Sequence, residues 1–126
     1  MKPLGQHYLL ECDGAEAELL ANPTQLQALL YMAAQAAQAQ VLFAHFHHFG
    51  EGQGVTGVLL LQESHISIHT WPEYGYAAID VFMCGEAQPQ RAVAYLIEGL
   101  QPKQHRYQMV ERSPLQAQQG KPSSHV

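Results

Sequence analysis

The stretch "LLLQESHISIHTWPEYGYAAIDVFMCG", Leu59 to Gly85, decides how the chain folds. Its first apolar run belongs to "VTGVLLLQ", which reads as a buried strand. "HISIHTW" then alternates, with Ile66 and Ile68 on one face and Ser67 and His69 on the other. Pro72 to Gly75 turns the chain. "YAAIDVFMC" is the next strand, and Gly85 ends it. Hairpin-like links between consecutive strands predict a largely antiparallel sheet. Within this piece Glu63, Ser64, His65, His69, Glu73 and Cys84 crowd together. Packing alone gives no reason for that crowding.

Working outward, "QVLFAHFHHF" alternates and predicts a strand. Val41, Phe43, His45 and His47 are expected on one face, and Leu42, Ala44, Phe46 and His48 on the other. "GEGQG" after Phe49 is a loop. Gly57 marks a bulge or a close approach to the backbone. Gln6 to Cys12 is a first strand closed by Asp13-Gly14. Asn22-Pro23 opens a helix whose inner face is Leu26, Leu29, Leu30, Ala33 and Ala37. A second helix is expected over Ala87 to Leu100, with Ala92, Ala94, Tyr95, Leu96 and Leu100 inward. "HRYQMVER" is a last strand. From Ser113 onward the chain is polar and reads as a disordered tail. The expectation is an α+β fold, a two-layer α/β sandwich with a largely antiparallel sheet and two helices on one face. The other face, carrying His and aromatic side chains, needs a cover, and a second subunit supplies one.

The chain of 126 residues suits one domain, placed here at 1–112. Six Lys and Arg against a net charge of −5 leave no basic stripe for neutralising phosphates, so no nucleic acid is expected. No run approaches a membrane span, and "MKPLGQHYLLECDG" lacks the long apolar run of a signal peptide. With only Cys12 and Cys84, the reading is a reduced, cytoplasmic protein.

Eight histidines raise the question of metal. His45, His47, His48, His65 and His69 cluster in sequence, yet without HExxH, CxxC or a partnering carboxylate. No metal is expected; a non-catalytic, His-rich metal-binding homodimer is the remote alternative. Ser64 lacks a G-x-S-x-G elbow. The pair Glu63-Ser64 offers different chemistry. A serine at a strand start can attack the preceding carbonyl of a strained peptide and convert the amide to an ester. A base then strips the serine α-proton, and β-elimination expels the Glu63 carboxylate. The dehydroalanine hydrolyses to a pyruvoyl group, which takes up a substrate amine as a Schiff base and acts as an electron sink.

"ESHISIHTWPEYGYAAIDVFMCG" closely resembles the signature of the short prokaryotic S-adenosylmethionine decarboxylase proenzymes. "KPLGQHYL", "FHHF" and "GVTGV" share in the likeness, which covers about residues 2 to 112. The resemblance implies cleavage between Glu63 and Ser64, giving a β chain 1–63 and an α chain 64–126 headed by pyruvoyl. It implies that His69 is the processing base, its +5 spacing suiting a strand that folds back beside the cut. Thr56 stands where the family usually has a serine that assists processing. Cys84 matches the residue that returns a proton to the substrate α-carbon; Met83 beside it should face the other way. Glu73 matches the carboxylate that binds the ribose hydroxyls, and Phe49 the aromatic that stacks on adenine. "GEGQG" replaces a shorter, Pro-containing segment. A homodimer with active sites near the interface is also implied, making the aminopropyl donor for spermidine synthesis. Arginine or ornithine as substrate is the nearest alternative.

Overall fold

Hydrophobic alternation places six strands in one sheet. A computed structural model describes residues 4–115 of the chain. The strands are β1 (Gly5–Asp13), β2 (Val41–His48), β3 (Val55–Leu61), β4 (Ser64–Trp71), β5 (Tyr76–Cys84) and β6 (Gln104–Arg112). Their spatial order is β2-β3-β4-β5-β1-β6, and every pairing is antiparallel. Helices α2 (Pro23–Ala36) and α3 (Pro89–Leu100) cover one face, preceded by a short helix α1 (Ala17–Leu20). The two-layer α+β sandwich expected from the sequence is therefore what forms. Of the expected tail, residues 116–126 lie outside the described residues.

The core lies between the helices and the inner sheet face. Leu10, Leu59, Ile66, Ile68, Ile79 and Val81 meet Leu26, Leu30, Leu96 and Leu100, all buried. Ala33, Ala34, Ala37 and Ala92, also buried, let both helices approach the sheet closely. Asn22 caps α2 by accepting a hydrogen bond from the Gln25 N–H at 3.0 Å, with Pro23 in the first turn. Among the described residues, Thr70 is the one polar side chain buried in this layer. Its hydroxyl donates to the Leu20 carbonyl at 2.6 Å and accepts from the Val55 N–H at 2.9 Å, tying β4 to α1 and β3.

Four local expectations need correction. The register of β2 shifts between Val41 and Phe43, so Val41 pairs with Leu61 while Ala44 pairs with Leu59. A bulge at Leu42 thus puts Val41 on the face of Ala44, Phe46 and His48, and only Phe43, His45 and His47 stay together. The second helix starts at Pro89, after Ala87 and Gln88. On it Val93 is buried and Ala94 exposed, the reverse of expectation. Leu29 on α2 is half-buried, reaching toward Gly99 of α3. Gly57 is a close approach: the Phe46 ring lies across it, where any Cβ would collide.

The outer sheet face is open. Thr56, Leu60 and His69 are exposed there, as are Phe43, His45 and His47. Strand β6 is exposed along all nine residues.

Candidate active site

The β3–β4 hairpin puts Glu63 and Ser64 at one end of the sheet. Leu61 pairs with Ser64, so the turn is only two residues long. Ser64 has φ +153°, a region that residues with a Cβ rarely enter, at a cost of about 1–3 kcal/mol. The Glu63 carbonyl accepts two hydrogen bonds from Cys84, one from its N–H at 3.0 Å and one from its thiol at 2.9 Å. The Glu63 side chain is anchored as well, Oε1 accepting from the Gln40 N–H at 3.0 Å. A strained residue therefore follows a carbonyl whose oxygen is already polarised by two donors. That is what attack by the Ser64 hydroxyl requires, because negative charge develops on that oxygen.

Cys84 ends β5 on the outer face, exposed, while Met83 before it is 2% exposed and points inward as expected. A cavity of about 440 Å³ opens beside it, lined in part by Gly5, Gln6, Met83, Cys84 and Gly85. Cys12 contrasts with it. That thiol is fully buried, and burial first, then the charges of Asp13 and Glu11, push its pKa up to about 11.

At the other end of β4 the chemistry is aromatic. Thr56 and His69 are cross-strand partners on the outer face. The His69 ring stacks on Trp71 at 4.1 Å and 13°, and Trp71 stacks on Tyr76 at 5.2 Å. Phe49, 57% exposed, lies nearly parallel to His69 at 6.4 Å. Its N–H donates to the Gly54 carbonyl at 3.0 Å, closing the "GEGQG" loop. Glu73 is exposed in a 3₁₀ turn, Pro72–Tyr74. Tyr76 donates to Glu11 Oε1 at 2.6 Å. That bond, then burial, raises the Tyr76 phenol to about 12.

These two groups are not together in one subunit. β4 runs unbroken from Ser64 to Trp71, paired on both sides. At the rise of an extended strand, His69 stands about 16 Å from Ser64. The expectation that the strand folds back beside the cut is therefore wrong. The chain turns only at Pro72, and a +5 spacing within a strand carries His69 away.

Sequence reasoning also missed Gln40 and the donor role of Cys84 toward Glu63. Nothing local in the sequence signals either, because both contacts join residues more than twenty positions apart. Of the metal candidates of the sequence, His45, His47, His48 and His69 belong to no three-ligand group among the described residues, while His65 joins His7 and Asp80 in the one such group.

Fold and site define a small two-layer α+β protein that strains and polarises one Glu-Ser peptide bond at the end of its sheet. Comparison with known proteins narrows the class. A family profile described as S-adenosylmethionine decarboxylase matches residues 6–113. A protein from Sulfurihydrogenibium sp., named S-adenosylmethionine decarboxylase proenzyme, is 46% identical over 112 residues, 88% of this chain and 84% of its own. One of the same name from Methanococcus maripaludis is 42% identical over 113 residues, covering 89% and 92%. The crystal structure of the adenosylmethionine decarboxylase from Aquifex aeolicus superposes with a TM-score of 0.83 at 36% identity over all of both chains. The chain belongs to the S-adenosylmethionine decarboxylase family.

Proposed function

We propose that this chain is a self-processing, pyruvoyl-dependent decarboxylase that converts S-adenosylmethionine to its decarboxylated form and CO₂, supplying an aminopropyl donor for spermidine synthesis. The observation that carries the reading is the Glu63-Ser64 bond: a φ of +153° at Ser64 beside a carbonyl held by two Cys84 donors. Cleavage there leaves a β chain 1–63 and an α chain 64–126.

In processing, the Ser64 hydroxyl attacks the Glu63 carbonyl carbon while the Cys84 N–H and thiol stabilise the oxyanion. His69 takes the Ser64 α-proton, and the Thr56 hydroxyl beside it assists. The pyruvoyl ketone supplies an electron sink for loss of CO₂ from an α-amino acid. Cys84 then returns a proton to the substrate α-carbon, its exposed thiol at the end of β5 acting as the general acid. Glu73 accepts hydrogen bonds from both ribose hydroxyls, and Phe49 stacks on adenine. No metal enters this chemistry.

His69 and Thr56 reach Ser64 by assembly. A two-fold dimer packing the open outer faces brings His69 of the partner subunit to Ser64, and the reverse. The open face, the separation of about 16 Å at strand rise and the rigid strand between the two groups support this homodimer, with the active site composed across it. Two free cysteines suit a cytoplasmic setting.

Intact-mass measurement tests the reading. The purified protein should give two fragments, the C-terminal one carrying pyruvoyl, and Ser64→Ala should stay whole. An uncut wild-type chain that releases no CO₂ defeats it. Parallel CO₂-release assays on S-adenosylmethionine, arginine and ornithine test the substrate.

A further inference from the structure

A second polar cluster crosses the outer face between the two ends of β4. Asp80 on β5 is its hub. Asp80 Oδ1 accepts from His7 Nε2 at 2.8 Å and from His65 Nε2 at 3.1 Å, and Oδ2 accepts from the Ser67 hydroxyl. Arg112 Nη1 lies 3.2 Å from His7 Nδ1, and its guanidinium carbon sits 5.4 Å from the centre of the Phe82 ring. Phe82 packs in turn against His7 at 5.0 Å and His65 at 5.7 Å. The cluster thereby joins β6, β1, β5 and β4.

Three of its ligand atoms lie within 4.8 Å of one another, and two imidazoles with a carboxylate are a familiar donor set for divalent metals. The tautomer of His7 decides against that use. A guanidinium only donates, so the His7 Nδ1 facing Arg112 must offer its lone pair. The ring proton then sits on Nε2, the atom aimed at Asp80. A protonated nitrogen gives Asp80 a hydrogen bond and has no lone pair for an ion. The cluster is a hydrogen-bonded network.

Its place in the chain indicates its use. His65 directly follows Ser64. Once the Glu63-Ser64 bond is cut, residue 64 is a new chain end that has lost its covalent link to β3. Chain ends are poorly ordered unless tied down. The bond from His65 to Asp80 ties the neighbouring residue to the middle of β5, the strand that carries Cys84 at its end. Ser67 and His7 hold Asp80 itself, and Arg112 in turn holds His7.

We infer that Asp80 is a positioning residue: acting through His65, it holds residue 64 in register with Cys84, first in the strained proenzyme and then as the pyruvoyl end. This rests on the function proposed above and adds a residue to it. Full-length Asp80→Ala, Asp80→Asn and Ser67→Ala proteins test it. Asp80→Ala should slow self-cleavage, followed by intact mass, and lower kcat of the cleaved enzyme, each about tenfold to a hundredfold. KM should move by less than about threefold, because on the reading above adenine and ribose are held by Phe49 and Glu73 and not by this cluster. Amide hydrogen exchange over residues 65–67 of the cleaved protein should quicken. Asp80→Asn, which keeps an acceptor for the histidines, should recover much of each loss, and Ser67→Ala should show a smaller loss of the same kind. If Asp80→Ala fails to fold, these two carry the test by the same readouts. Wild-type cleavage, kcat and exchange in all variants overturn the proposal. So does a loss confined to KM, or stoichiometric metal in wild type that Asp80→Ala lacks. An uncut wild-type chain is a different result, since it removes the proposed function itself.

Discussion

The two ends of β4 are built from opposite materials. At Ser64 the environment is small, polar and anchored by hydrogen bonds: Cys84 on the Glu63 carbonyl, Gln40 on the Glu63 carboxylate, Asp80 on His65. At His69 it is a stack of flat rings, Phe49, His69, Trp71 and Tyr76, with Glu73 in the 3₁₀ turn that follows Trp71. The first end holds one bond in a strained geometry. The second end offers an imidazole and a surface of ring faces. The strand between them is hydrogen-bonded to β3 and β5, so no motion of a folded subunit brings them together. On the function proposed above, splitting the two tasks over one rigid strand makes a second copy part of the machinery.

The sharpest way to break this comparison is complementation, and its effect is all or none. His69→Ala and Ser64→Ala proteins each remain uncut. Co-expressed, they form mixed dimers in which the Ser64→Ala subunit supplies His69 to the His69→Ala subunit, whose Glu63-Ser64 bond is then cut. Mass analysis should find fragments from the His69→Ala chain only. If co-expression yields no cleavage while mixed dimers are isolated, His69 acts within its own chain and the composite site is wrong.

The next largest effect separates two roles at the Ser64 end. Cys84→Ala leaves the backbone N–H on the Glu63 carbonyl but removes the thiol donor. Cleavage should slow by about tenfold to a hundredfold, somewhat below the usual loss for one oxyanion donor, because a thiol donates weakly. Decarboxylation by whatever enzyme is cut should fall by about 10²–10⁴, the range for removing a general acid. Cys84→Ser keeps a donor for the carbonyl and loses the acid. It should cleave at close to the wild-type rate and stay slow in CO₂ release. Equal defects in both steps would merge the two roles into one.

How much of this was legible follows from where each signal lies. The apolar run of "VTGVLLLQ", the alternation of "HISIHTW" and the turn before "YAAIDVFMC" placed three strands correctly, because each strand buries one face against the helices. Asn22-Pro23 marked α2 because the cap is local. The bulge at Leu42 was hidden, since Val41, Leu42 and Phe43 are all apolar and nothing marks the extra residue. Ala92, Val93 and Ala94 gave no direction, because alanine suits either side of a helix. Helix α1, four residues long, has no room for a period. In the site, Ser64, His69 and Cys84 could be named from the motif, but their distances could not. The separation of Ser64 from His69 depends on where the strand ends, two residues beyond His69 at Trp71. Asp80, His7 and Arg112 come from three strands remote in sequence, and only the sheet order brings them together.

The smallest expected effect sharpens the His69 end. Tyr76 ends the ring stack and is fixed by donating to Glu11, which raises its phenol from the usual value near 10 to about 12. A raised folded pKa means that the folded state holds the proton more tightly than the unfolded chain. The bond therefore contributes its full stability below about pH 10 and loses it as the pH climbs toward 12. Tyr76→Phe keeps the ring and deletes the donor, so it should cost about 1 kcal/mol or less at neutral pH, the net worth of one partly exposed hydrogen bond. Chemical denaturation of wild type and variant at a series of pH values should show the gap shrinking between pH 10 and 12. Cleavage should be almost unchanged, because the hydroxyl faces Glu11 and away from His69. A large loss of cleavage in Tyr76→Phe, with the fold intact, would mean that the stack positions His69 through this one bond. The ring faces would then be secondary, and the His69 end would depend on hydrogen-bond anchoring as much as the Ser64 end does.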